Sequence, residues 1–179
     1  MTARTTMKSP LGDLLLTGEE TADGFRLRSL SLAGRYSSPP RYWVGGEYGP
    51  GTTPPGRQST AGPFAAVVRQ LDAYFAGELT RFDMPFATTG SDFQRRVWHE
   101  LDRIPYGTTT TYGALAARLG LARDRVQALG AAIGANPLLV VRPCHRVIGA
   151  DGSMRGYAGG VANKVWLLTH EGALQPSLL

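Results

Sequence analysis

The chain carries a single thiol, Cys144, in the stretch VVRPCHRVIG that spans Val140 to Gly149. A histidine, His145, follows it directly and a proline precedes it. A thiol is nucleophilic as the thiolate; free cysteine has a pKa of about 8.5, and reactive sites lower it with a cation, a base or a helix N-terminus. His145 is the base at hand. Neighbouring residues point about 180° apart in a strand and about 100° apart in a helix, so a bridging water is a more natural link between the two than a direct bond. A catalytic histidine also needs an acceptor to orient its ring, and Asn136, Glu171 and Asp151 are the candidates. Alone, Pro-Cys-His does not separate a nucleophile from a buried, inert cysteine.

Composition narrows the function classes. One cysteine forms no intrachain disulfide and no multi-thiolate zinc site. His99, His145 and His170 show no ligand spacing, so neither a metal nor a cofactor is expected. A lone thiol suits a reducing cytoplasm. There is no run of about 18 apolar residues, and MTARTTMKSPLGDLLL lacks the pattern of a secretory signal; no membrane partner is expected. The hydrophobic share of 42% suffices for a globular core. Net charge is +5 over 179 residues. Residues 90–179 hold 10 basic and 6 acidic side chains, a net +4, against 9 and 8 in residues 1–89. The positive excess lies in the half with Cys144, a mild pointer to a polyanionic partner.

The elements that must position this chemistry read as follows. Met7–Leu16 and Phe25–Leu32 are expected strands, the second alternating imperfectly through Phe25, Leu27, Leu30 and Leu32. Gly34–Gly56, rich in Gly, Pro and Ser, reads as a long loop. Phe64, Val67, Val68, Leu71 and Phe75 have helical spacing, with Gly77 where a C-cap falls. Phe82–Phe86 is a candidate last strand, and Thr88–Ser91 a hinge. A helix over Phe93–Ile104 follows, with Ser91 as its N-cap, broken at Pro105-Tyr106-Gly107. TTTTY then forms an extended wing. Tyr112–Leu119, closed by Gly120, and a second helix from Asp124 to Asn136-Pro137 make a helix-turn-helix candidate. That second helix is nearly smooth: Gln127, Ala128, Gly130, Ala131, Ala132 and Gly134 offer few long side chains for major-groove readout. Small residues instead permit close approach to a backbone or a minor groove.

PCHRVIG, then GYAGG, a lysine and LLTHEG, preceded by DFQRRVWHELDRIPYGTTTTYGALA and Asn136-Pro137, resembles the signature of the O6-alkylguanine-DNA alkyltransferase (methylated-DNA–protein-cysteine methyltransferase) family. The match runs from about Asp92 to Gly172; the N-terminal half is similar only in style. The resemblance implies an α/β N-terminal domain, residues 1–88, with a small sheet and packed helix in a ribonuclease H-like arrangement. A mainly α, winged helix-turn-helix domain, residues 89–179, is implied after it. The implied activity is a single-turnover transfer of an alkyl group from O6-alkylguanine in double-stranded DNA, with O4-alkylthymine as a second lesion, to the protein's own cysteine. The base must be extruded to be reached.

The resemblance assigns the catalytic set to Cys144, His145, Glu171 and Asn136. In it Glu171 orients the imidazole, His145 draws the thiol proton through a water, and Asn136 braces the turn into the cysteine segment. Tyr112 matches a tyrosine that helps rotate the nucleotide and donates a proton toward guanine N3. Val147, Tyr157, Ala158, Gly159, Lys164 and Ile133 are implied at the base pocket. Thr109, Thr110, Arg123, Arg125, Gln127 and Ala128 are implied at the DNA. A monomer is expected, and cooperation along DNA stays open. One position departs from the family: an arginine that fills the space left by the flipped base is here Gln127, which supplies neither the charge nor the planar stacking of a guanidinium. Helical spacing would turn Arg125 about 200° away from Gln127. A cysteine hydrolase and a lesion-recognising module without repair activity are the rival readings; the first needs an oxyanion hole, and relatives of the second kind lack the cysteine.

Overall fold

The structure, a computed structural model, describes residues 2–33, 62–87 and 89–174. They fall into two compact units, Met1–Ala87 and Thr88–Leu179.

In the first unit β1 (Thr2–Met7), β2 (Leu14–Thr21) and β3 (Gly24–Leu32) form an antiparallel sheet in the order β1-β2-β3. Leu14, the first residue of the middle strand, is paired with Met7 on one side and Leu32 on the other. The expected strand Met7–Leu16 is corrected: it straddles a turn. Ser9 Oγ donates to the carbonyl of Gly12 at 2.6 Å and accepts from the Leu11 amide, and Gly12 adopts φ 105°, a conformation natural to glycine alone. Leu11 is buried inside that turn, so the apolar run continues where the strand does not. The imperfect alternation of β3 is a β-bulge. Thr17 faces Ser29 and Gly18 faces Leu27, leaving Arg28 as the extra residue, so Leu27 and Leu30 both reach the core.

Helix α1 (Ala65–Phe75) buries Val67, Val68, Leu71, Tyr74 and Phe75, as their spacing predicts. Gly77 closes it with φ 78°. The Phe64 ring at its N-terminus meets Phe25 of β3 edge-on at 4.8 Å. Phe82–Phe86 is not a strand; it contributes one parallel bridge, Phe86 with Leu27. Pro85 has no N–H to extend a ladder. The expected loop Gly34–Gly56 lies outside the described residues.

The second unit opens with α2 (Asp92–Asp102), capped by Ser91 in a capping box with Gln94. The helix stops short of the expected Ile104, which is nonetheless buried. TTTT gives only a two-residue strand, β4 (Thr110–Thr111), parallel to β5 (Val147–Ile148). Helix α3 (Tyr112–Arg118) and helix α4 (Val126–Gly134) form the helix-turn-helix. A 3-10 turn at Arg123–Arg125 occupies the expected start of the second helix. The Trp98 indole donates to the carbonyl of Ala132 at 2.8 Å, tying α2 to α4. Helix α5 (Val161–His170) ends at Glu171. Among the described residues no helix is long and apolar enough to cross a membrane.

Candidate active site

Cys144, His145 and Arg146 form one 3-10 turn. That geometry rotates successive side chains by about 120°, so the thiol and the imidazole face different ways. The thiol looks toward a cavity of about 260 Å³ lined by Tyr112, Gly130, Ile133, Gly134, Cys144, Gly156, Tyr157 and Ala158. The imidazole looks inward and is fully buried. Its Nε2 lies 2.8 Å from Glu171 Oε1. Hydrogen bonds from His145 and Arg146 outweigh the effect of burial and hold the Glu171 carboxyl well below the usual range. An ionised carboxylate only accepts, so the proton sits on Nε2 and Nδ1 keeps its lone pair. Nδ1 is buried and has no protein partner. Burial, outweighing Glu171, pulls the imidazole below its ordinary value and keeps it neutral.

The loop from Asn136 to the cysteine is held by one side chain. Asn136 Nδ2 donates to the carbonyls of Leu138 and Arg142 at 3.3 and 3.0 Å and to Cys144 Sγ at 3.1 Å, while Oδ1 accepts from the Leu138 amide at 3.0 Å. Within this loop Val140 has φ 68°. A β-branched residue there carries strain of about 1–3 kcal/mol, which surrounding contacts must hold in place. Burial raises the Cys144 thiol, and this outweighs the lowering by Asn136, Lys164 and Arg142, so the resting sulfur is protonated.

Of the three candidate orienters, Glu171 takes the role. Asp151 is spent on the amide and hydroxyl of Ser153, at 3.1 and 2.6 Å, and Asn136 faces the sulfur. Of the expected pocket residues, Ile133, Tyr157 and Ala158 line the cavity. Val147 and Gly159 are buried away from its lining, as is Lys164. Lys164 is no surface residue: its ammonium donates to the carbonyls of Val147 and Arg155 at 2.6 and 2.9 Å, binding the wall loop from behind. Tyr112 reaches the same carbonyl of Arg155 at 3.4 Å. Burial raises its phenol, as does the nearby sulfur.

On the outer face Gln127, Arg123 and Thr109 are exposed and Ala128 is half-buried. Thr110 is buried as the partner of Val147, so it does not face outward with Thr109. Arg125 lies in the turn before α4 and stands 5.4 Å over the Phe93 ring; the helical 200° argument does not apply to it. A larger open hollow of about 570 Å³ on α2, lined in part by Arg95, Arg96, His99 and Arg118, is lined by no thiol or hydroxyl side chain among the described residues.

Sequence reasoning missed Arg146 and Arg142. Arg142 is buried, forks onto Asp102 at 3.0 and 3.4 Å and stands over Trp98. Two arginines flanking a Pro-Cys-His core segment are the signal available, since a buried guanidinium requires a carboxylate partner. The glycines Gly130, Gly134 and Gly156 of the cavity wall were missed as lining.

Comparison with known proteins agrees with this geometry. Residues 92–173 match the DNA binding domain of the 6-O-methylguanine DNA methyltransferase family, and residues 3–88 match the ribonuclease-like domain of the same family. A methylated-DNA--protein-cysteine methyltransferase of Mycolicibacterium paratuberculosis is 41% identical over 174 residues, covering 97% of this chain and 94% of its own. The crystal structure of the Mycobacterium tuberculosis O6-methylguanine methyltransferase superposes with a TM-score of 0.76 at 40% identity, over 99% of this chain and 96% of that one. A structure of the M. tuberculosis OGT in complex with DNA gives 0.73 at 38% identity, over 96% and 94%. Fold and site together define a two-domain protein with a helix-turn-helix and a single buried thiol that faces a cavity. The chain belongs to the 6-O-methylguanine DNA methyltransferase family.

Proposed function

We infer that this protein repairs DNA by direct reversal, moving the alkyl group of O6-alkylguanine in duplex DNA irreversibly onto Cys144 Sγ. The observation that carries the reading is the thiol itself, which opens onto a base-sized cavity while a carboxylate–imidazole pair stands behind it. The smooth face of α4 allows close approach to a minor groove, and Gln127 and Arg123 stand exposed beside it. The extruded base enters between Tyr157-Ala158 and α4. The thiol proton passes through water to His145 Nδ1, and Glu171 stabilises the imidazolium. The new S–C bond forms as the C–O6 bond breaks. Guanine leaves in its keto form as Tyr112 donates toward N3, which lowers the cost of the departing charge.

A resting thiol that is neutral fits this order: the proton leaves toward His145 as the S–C bond forms, so no free thiolate has to stand in the buried site. Among the described residues that line the cavity there is no second thiol to take the alkyl group from the thioether, so the protein acts once. A cytoplasmic location follows from the same reading, since the substrate is DNA and the one thiol must stay reduced to act. The test is a stoichiometric titration with a duplex containing one O6-methylguanine, read by intact mass. One methyl per chain, located on Cys144 and absent in Cys144→Ser, is expected. Catalytic turnover without a mass gain would identify a hydrolase instead.

A further inference from the structure

The carboxylate behind the imidazole is itself held by a second cation. Arg146 Nε donates to Glu171 Oε2 at 2.8 Å and Nη2 donates to Oε1 at 3.0 Å, a two-pronged contact. Its remaining arm, Nη1, donates to the carbonyl of Ile104, just past the end of α2, at 2.6 Å. Arg146 is 7% and Glu171 5% exposed. The Gly107 amide completes the cradle from the other side, 3.4 Å from Oε2. Gly107 has φ 72°, and a Cβ there would lie 2.9 Å from the Glu171 carbonyl, so the turn fits closely only as glycine. Both carboxylate oxygens are therefore fixed in direction, and the lone pair left for Nε2 points where the His145 ring lies.

We propose that Arg146 is a positioning residue of the transfer reaction: its fork fixes the rotation of Glu171, which fixes the tautomer of His145 and leaves Nδ1 as the acceptor of the thiol proton. The inference rests on alkyl transfer to Cys144 as the activity. Arg146 is one residue from the base and never touches the sulfur, so it acts through Glu171. A pair needed only for packing is replaceable by apolar side chains of similar volume, often without loss of stability; this one sits where the orientation of a ring decides chemistry. Charge adds a second effect. The groups facing His145 are Glu171 and Lys164 from α5 and its C-terminal cap, Arg146 from its own turn, and Tyr157, whose ring meets the imidazole edge-on at 6.4 Å. After burial, Arg146 and Lys164 oppose protonation of the ring while Glu171 favours it. Arg146 thus keeps the imidazole a neutral base until the reaction calls on it.

The experiment uses nitrogen-15 NMR of the histidine rings in the DNA-free full chain, together with single-turnover transfer from an O6-methylguanine duplex across pH. In the wild type His145 should be the Nε2–H tautomer with a midpoint below that of a free imidazole. Arg146→Met removes fork and charge; the midpoint should rise, and the acid limb of the transfer rate should move up with it. Arg146→Lys keeps the charge without the fork; the midpoint should stay while the transfer rate falls about tenfold or more, the scale of lost outer-sphere partners of histidine ligands. An unchanged tautomer and midpoint in Arg146→Met would overturn the proposal. Should that variant not fold, a wild-type transfer rate in Arg146→Lys overturns it equally. Failure of wild-type Cys144 to gain a methyl would sink the transfer reading instead, and the NMR result would still judge the clamp.

Discussion

Removing the Asn136 side chain isolates how much of the site depends on one amide. In Asn136→Ala the Leu138 amide loses its acceptor, and as a buried donor without a partner it costs about 1–3 kcal/mol. The carbonyls of Leu138 and Arg142 keep other donors, the amides of Arg142 and Cys144 at 2.9 and 2.8 Å. Losing the Asn136 bond to Arg142 therefore costs only the net worth of a hydrogen bond, about 1 kcal/mol. The loss is then about 3 kcal/mol, with Val140 still strained at φ 68°, a large part of the 5–15 kcal/mol typical of a domain. Urea unfolding followed by tryptophan fluorescence reads this, since Trp98 and Trp166 lie in the second unit. The sulfur responds separately. Asn136 lowers the thiol against the pull of burial, and a donor favours an anion over a neutral thiol by about 1 kcal/mol or more. One pKa unit corresponds to 1.36 kcal/mol, so the thiolate fraction at fixed pH should drop about five- to tenfold. The rate of iodoacetamide labelling of the DNA-free protein should drop with it. If labelling and unfolding both match the wild type within about 0.5 kcal/mol, the amide is not what holds the loop and the sulfur, and the reasoning fails.

Two further outcomes follow from the same geometry. Glu171→Gln leaves the Arg146 guanidinium buried without its counter-charge, which should cost about 3–5 kcal/mol in urea unfolding. In the wild type the same carboxylate is depressed on folding from about 4.3, so its stabilisation is complete above about pH 5 and drains as pH falls through 4 and below; Glu171→Gln should flatten that acid slope, and a slope equal to the wild type would remove Glu171 as its source. Gln127→Arg should tighten binding to a lesion-free duplex and steepen the plot of log affinity against log salt by about 1. Unchanged affinity, slope and repair rate together would show that position 127 does not enter the groove.

What the sequence determined by itself was local or covalent. A single cysteine excludes an intrachain disulfide and a multi-thiolate metal site by counting. Ser91 with Gln94 three residues on announces a capped helix, and the apolar spacing of α1 and the small residues of α4 show in the string because helices and their caps are satisfied within one stretch of chain. The motif around PCHRVIG carried family and reaction. Tertiary structure decided the rest. Met7–Leu16 reads as one strand when its apolar residues are weighed above Ser9-Pro10 and Gly12, which are turn formers; the hydrogen bonds of Ser9 and Gly12 close that turn. Residue types and spacing alone leave Glu171 and Asp151 level as partners of His145; the motif resemblance implies Glu171, and the fold brings that residue to the ring across 26 positions. Likewise Arg146 gains its role only by meeting Glu171 and the carbonyl of Ile104 in the same buried space. The ionisation of the site was hidden for the same reason. Whether a thiol rests charged or neutral depends on how much water burial removes against the few donors that remain, and that balance exists only once the chain has closed around the sulfur.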